Sequence, residues 1–212
     1  MKYKTYNLLP SYGTNTYLVW DEKSKEAMLV DPADKSERLL NEINKMGLNV
    51  KYVINTHGHG DHIGGNNFFK TALKAKLVIH RSDAEMLIDS AKNLSAYMGT
   101  NIVTAAPDLK LDGGEVLNIG KEEVKIIATP GHSRGGICLY FDETLISGDT
   151  LFAQSVGRSD LPGGDHNTLL KSIKEKLFIL PEETLVLPGH GAETTIADEQ
   201  VANPFVGFAA NV

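Results

Sequence analysis

The chain has 212 residues, 42% hydrophobic and 23% charged, the balance of a soluble globular protein rather than a disordered one. Its lone cysteine, Cys138, excludes a disulfide scaffold. With 21 basic against 27 acidic residues and a net charge of -6, it is a poor non-specific binder of nucleic acid, which needs a basic face, and anionic membranes are disfavoured for the same reason.

In chain order, strands are predicted at Thr16–Trp20 and Ala27–Val30, then a helix over Ser36–Met46 with Leu39, Leu40 and Ile43 on one face. Strands follow at Lys51–Asn55 and Lys76–Ile79, and a second helix at Ser82–Asp89. Ser90–Gly114 is weakly patterned and reads as a long loop, of the kind that forms lids or binding loops. Further strands are expected at Val124–Ala128, Ile137–Phe141, Leu145–Ile146 and Thr184–Leu187. A helix over Thr168–Phe178 lies between the last two, with Asp165 or Asn167 as its cap. This alternation is that of an α/β protein, expected as one domain over residues 1–212. No leader-like run follows Met1, and no apolar run approaches the roughly 18 residues of a spanning helix. A cytoplasmic protein without membrane or nucleic-acid partners is therefore expected.

The seven histidines carry the chemistry. Three fall in His57-Gly58-His59-Gly60-Asp61-His62, a pattern with a chance expectation of ~5 × 10⁻⁴ in a chain of this composition. His57, His132, Asp149 and His190 each follow an apolar strand and a turn bearing Gly or Thr. If those strands share a direction, all four turns open on one sheet edge, where ligands bind in α/β sheets. A single histidine after a strand is usually a satisfied surface or core residue. Five gathered with two carboxylates pack poorly unless a cation supplies the missing charge. Imidazole and carboxylate without thiolate suit zinc, iron or manganese. Seven donors exceed one tetrahedral shell, so two metals are expected, with Asp149 as the bridging carboxylate.

The run Thr56–His62 with His132, Asp149 and His190 resembles the metallo-β-lactamase superfamily, and more narrowly the glyoxalase II-related hydrolases. Thr129-Pro130-Gly131-His132-Ser133, Ser147-Gly148-Asp149-Thr150-Leu151-Phe152, Leu187-Pro188-Gly189-His190-Gly191 and the Val156–Asp165 stretch extend the likeness over nearly the whole chain. The resemblance implies an αββα sandwich of two mixed β-sheets flanked by helices. It implies that His57, His59 and His132 hold one metal, that Asp61, His62 and His190 hold the other, and that Asp149 bridges them. Branches that hydrolyse lactams with arginine or cysteine among these positions fit less well, since every position here is His or Asp. Zinc is the expected metal, with iron or manganese as alternatives.

The activity implied is hydrolysis of a small-molecule thioester such as S-lactoylglutathione, with Asp61 both ligating and orienting the attacking water. Glyoxalase II itself continues into a C-terminal helical domain that helps hold glutathione. Few residues follow His190 here, so the expectation is broad thioester specificity, with the Ser90–Gly114 and Val156–Asp165 segments supplying the substrate contacts. Two rival readings remain: a mononuclear iron persulfide dioxygenase using His57, His132 and Asp149, and a non-catalytic metal-binding protein. Outside the motifs, His80 reads as a solvated or core-edge residue, His166 as part of a helix start and Cys138 as a buried small hydrophobe. Trp20 reads as core or sheet face. Arg158 either pairs with Asp160 or binds an acidic substrate.

Overall fold

The computed structural model describes residues 1–211. Its first half is a meander of β1 (Lys2–Leu9), β2 (Thr14–Trp20) and β3 (Glu26–Val30), followed by helix α1 (Glu37–Lys45) and β4 (Asn49–Ile54). Two short helices, α2 (Gly60–Ile63) and α3 (Asn66–Leu73), lead into β5 (Lys76–His80). Two 3-10 segments, Arg81–Ile88 and Ser95–Met98, precede β6 (Leu109–Leu111). These six strands form one sheet in sequential order, antiparallel through β3 and parallel from β3 to β6.

The second half builds a second mixed sheet. Its elements are β7 (Val116–Ile119), β8 (Glu122–Ala128), β9 (Ile137–Phe141) and β10 (Thr144–Gly148), then a small separate hairpin of β11 (Leu151–Phe152) and β12 (Ser155–Val156). Helix α4 (His166–Ser172) runs on into a π turn at Ile173–Leu177 before β13 (Leu185–Pro188), β14 (Thr194–Thr195) and α5 (Ile196–Ala202). The strand order is β14-β13-β10-β9-β8-β7, antiparallel except for the parallel pair β10 and β13.

Period-two alternation decides which side chains each layer receives. Tyr17, Val19, Ile126, Leu139 and Ile146 point into a core between the two sheets. Their neighbours Leu18 and Leu29 pack outward against Leu39 and Ile43 of α1 and Phe69 of α3. On the far side Cys138, Leu145 and Val186 meet Leu169, Ile173 and Ile196 of the α4–α5 layer. Each fully buried aliphatic side chain contributes about 2 kcal/mol, so the alternation fixes the register. The αββα arrangement expected from the resemblance is observed.

Several boundaries differ from expectation. The helix over Ser82–Asp89 is instead a 3-10 segment, started where Nδ1 of His80 accepts from Ser82 N. The Ser90–Gly114 stretch is not one loop, since it contains Ser95–Met98 and β6. Asp165, not Asn167, caps α4, accepting from Thr168 N at 2.7 Å. The four strand ends leading to His57, His132, Asp149 and His190 belong to two sheets rather than one. They still share an opening: β8, β10 and β13 run in one direction, as do β3 and β4, and each nominated residue follows a strand's C-terminal end. Among the described residues, no helix is long and apolar enough to cross a membrane.

Candidate metal centre

The structure brings all seven nominated residues together. Those of the first sheet stand on the loop after β4 and on α2. Those of the second follow β8, β10 and β13. The two halves are tied at this point by the donation of Asn15 N to Gly189 O at 2.7 Å and by a bridge between Thr14 and His190. Gly148, just before Asp149, has φ +50 and lies so close to Thr56 that a Cβ there would fall 2.4 Å from the threonine hydroxyl. Only glycine permits that approach of the two ligand-bearing loops.

Two trios result. The rings of His57, His59 and His132 stand with centroids 4.7 Å apart, and Nδ1 of His59 lies 2.9 Å from Nε2 of His132. In the second trio Nε2 of His62 is 3.2 Å from Nε2 of His190, and Oδ2 of Asp61 is 3.6 and 3.4 Å from those two atoms. Asp149 sits between the trios. Its Oδ1 is 3.5 Å from His62 Nε2, and its Oδ2 is 3.6 Å from His132 and 3.4 Å from His190.

Outer hydrogen bonds aim the imidazoles. Nδ1 of His132 donates to Arg158 O at 2.8 Å, and Nδ1 of His190 donates to Tyr12 O at 3.1 Å. Nδ1 of His62 donates to Asp31 Oδ2 at 3.0 Å. The Thr56 hydroxyl donates to Asp31 at 2.6 Å, which leaves its oxygen to accept from Nδ1 of His57 at 3.1 Å. In the neutral rings, all four Nε2 lone pairs therefore face inward. Fixing the outer ring nitrogen in this way is how proteins orient histidines on metals.

The electrostatics agree. Burial and the neighbouring imidazoles push His57 well below the ordinary histidine value and His59 down to about 3. Burial opposes charge on His62 and His190 as well. The carboxylates Asp149 and Asp61 outweigh it, with Asp31 assisting at His62, and raise the two rings to about 9 and 10. Burial would raise Asp61 and Asp149, but His62 and His190 hold Asp61 at about 2 and Asp149 well below the carboxylate range. Nε2 of His57 and Oδ1 of Asp149 are buried without any hydrogen-bond partner. Such atoms are costly unless something else satisfies them. A cation would displace the protons that the carboxylates hold on His62 and His190, so inward ring nitrogens, ionised carboxylates and orphaned acceptors form a donor set that fits divalent cations.

A cavity of about 1150 Å³ opens onto this cluster, reaching His59, Asp61, His132, Asp149 and His190. The remaining histidines lie apart from it, as expected. His80 bonds Ser82 N and Asp112 O, and His166 meets Ser159 Oγ at the start of α4. Cys138 is buried, and Trp20 is half-buried at the end of β2. Arg158 lines the cavity, yet its guanidinium is held by both oxygens of Asp160 at 2.8 Å. Its contact with the centre is through its carbonyl, on His132.

Sequence reasoning missed Asp31 and Asp83. Asp31 ends an apolar strand just as Asp149 does, and that signal was available in Val30-Asp31-Pro32. Asp83 accepts from Gly58 N, Ser133 Oγ and Gly135 N, joining the loop of His57 and His59 to the loop of His132. Nothing in its local sequence marks it.

Comparison with known proteins accords with this geometry. The family model of the metallo-beta-lactamase superfamily matches residues 10–190. The probable metallo-hydrolase YqgX of Bacillus subtilis is 37% identical over 99% of this chain and 100% of its own. The hydroxyacylglutathione hydrolase GloC of Haemophilus influenzae is 33% identical over 92% of this chain and 94% of its own. Among solved structures, the BLEG-1 B3 metallo-beta-lactamase superposes with a TM-score of 0.91 at 38% identity, covering 97% of this chain and 99% of that one. TTHA1623 in a di-iron-bound form gives 0.81 at 35% identity, covering 95% and 99%. ETHE1 from Myxococcus xanthus gives 0.80 at 28% identity, covering 97% and 84%. Matched by the family model over most of its length and aligned nearly end to end with relatives at 33% and 37% identity, the chain belongs to the metallo-beta-lactamase superfamily.

Proposed function

We propose that this metallo-hydrolase is a thioester hydrolase of the glyoxalase II type working with two divalent metals, zinc by preference. His57, His59 and His132 would hold one metal, Asp61, His62 and His190 the other, and Asp149 would bridge them. The observation that carries this reading is the position of Asp149, whose two oxygens reach both trios within 3.6 Å. When bound, paired cations lower the pKa of water toward neutrality and polarise a carbonyl. The residues of the chain do the rest. Asp61, ionised at neutral pH, is an acceptor at the cavity floor that orients the attacking water. The imidazoles, fixed by their outer bonds, need no rearrangement during reaction, and preorganisation of this kind is the main source of such rate enhancement. A thiolate leaves without help from an acid, whereas an amide nitrogen requires a proton. That favours a thioester over a lactam, although one structural relative is described as a lactamase. The name of GloC, a hydroxyacylglutathione hydrolase, supports thioester hydrolysis as the reaction.

The test is metal quantification on protein purified without added metal, paired with assays on S-lactoylglutathione, a simple acetyl thioester and a chromogenic cephalosporin. The expected result is two metals per chain and hydrolysis of both thioesters. Their specificity constants should lie within about tenfold, or ~1.4 kcal/mol of transition-state binding. Lactam hydrolysis without thioester hydrolysis overturns the reading. So does a single iron with oxygen consumption on a persulfide, and iron deserves this control because one relative binds a di-iron centre.

A further inference from the structure

The segment from Asp89 to Tyr97 forms one wall of the cavity and is clamped to the loop that carries the histidines. Asn93, fully buried, is the clamp. Its side-chain amide donates to Met86 O at 2.8 Å and Ile102 O at 2.9 Å, and its Oδ1 accepts from Ser95 N at 3.0 Å. Its carbonyl accepts from Gly60 N at 2.8 Å, between His59 and Asp61. Packing here is tight enough that a Cβ on Gly60 would lie 2.8 Å from that of Ser95. This wall is therefore built, not a loose flap.

Held between Asn93 and Ser95, Leu94 adopts φ +68 and ψ -1. Glycine or asparagine takes that left-handed conformation far more easily than a branched apolar residue. Leucine stands there nonetheless, half-buried and lining the cavity. Residues held in such sparsely populated backbone regions cluster at active sites and ligand clamps. The surfaces around it match. Tyr97 is 80% exposed at the same wall, and Phe152, Leu161 and Pro162 also line the cavity. The lysine and the arginine among the described lining residues are both paired, Lys92 with Glu85 and Arg158 with Asp160. Asp89 adds a negative charge. An anionic thiol carrier thus meets no unpaired lysine or arginine among the described lining residues, while an apolar arm finds a preformed surface.

We infer that Leu94 is a specificity-determining residue, and that the cavity takes thioesters whose arm away from the reacting carbonyl is uncharged and apolar, alkyl or aryl. The inference rests on the thioesterase reading above. The reaction is ordinary hydrolysis: water oxygen bonds to the acyl carbon and gives up one proton, the C–S bond breaks, the carrier leaves as a thiolate that takes up a proton from solvent, and the acid product releases its remaining proton to solvent.

The experiment uses the metal-loaded full chain and two substrate sets. The first is the neutral N-acetylcysteamine thioesters of acetyl, butanoyl, hexanoyl and phenylacetyl groups. The second is the same acyl groups on dianionic mercaptosuccinate. Wild-type kcat/KM is expected to rise at least about tenfold from acetyl to hexanoyl, and to fall at least about tenfold on the charged carrier. Leu94→Gly and Leu94→Asn both suit the backbone and should fold with unreduced thermal stability. Each should compress the hexanoyl-to-acetyl ratio to below about threefold. Hydrolysis with a flat acyl series, a preference for mercaptosuccinate, or an unchanged ratio in both variants overturns the inference and leaves thioester hydrolysis standing. Failure to hydrolyse any member of either set overturns both.

Discussion

Oδ2 of Asp31 lies 3.0 Å from Nδ1 of His62, with both side chains closed to solvent. The same carboxylate accepts from the backbone and hydroxyl of Thr56, and so steadies the ring of His57 at one remove. One buried aspartate thereby orients one imidazole of each trio. Asp31→Asn keeps the size but weakens the acceptor, and loss of such an outer partner costs roughly 10–100-fold in metal affinity. Competition titration with a chromogenic chelator should show that loss. Wild-type affinity would remove Asp31 from this role.

Asp149→Ala deletes the carboxylate that both trios share. Metal content should fall below that of the wild type, and turnover by about two orders of magnitude or more. Elemental analysis alongside the thioester assay reads both quantities. A fully loaded variant with wild-type turnover would rule out the bridge.

Cys138 is buried on the outer face of the second sheet, with Sγ 3.3 Å from Thr129 Oγ1 and 3.5 Å from Ser147 O. Burial pushes its thiol up to about 11, so it is no nucleophile at neutral pH. In Cys138→Ser the hydroxyl meets these same two partners. The expected cost is therefore about 1 kcal/mol, the low end of the range for a buried hydroxyl. Denaturant unfolding measures it. Metal content and turnover should stay within about twofold of wild type.

Asp165 accepts from Thr168 N at the start of α4, and this bond, with the Thr168 side chain, holds its pKa below the ordinary 3.8. A depressed folded-state pKa means that the stabilisation is complete above 3.8 and is lost as pH falls through the lower folded value. Asp165→Ala should therefore melt at a lower temperature than wild type at neutral pH. The gap should close below pH 3.8. A gap independent of pH would mean that the carboxylate's charge has no part in the cap.

The seven clustered residues were legible because His57, His132, Asp149 and His190 each follow an apolar strand and a turn, and His59, Asp61 and His62 share one short run with His57. The longer strands that line the inter-sheet core were legible as apolar runs, being buried on both faces, whereas the short β6 and β7, whose Leu111, Leu117 and Ile119 line the same core, were not predicted. β1 escaped because it is an edge strand with Lys2, Lys4 and Thr5 exposed, and an edge needs no second apolar face. α3 begins at Gly65 with no side-chain cap, so no start signal announces it. Asp83 and Asn93 are polar residues whose partners lie in segments brought near only by folding, and no local pattern encodes such pairings.

The ties that place Thr14 and Asn15 against Gly189 and His190 also set an order of events at the ribosome. The imidazoles of His57, His59 and His132 are all in hand once residue 132 has emerged. The second trio waits for His190, after β13 has been synthesised and can pair with β10. A nascent chain can therefore close one half of the centre well before the other. Completion of the second trio waits on β13, whose seating beside β10 also carries Gly189 and His190 to Thr14 and Asn15.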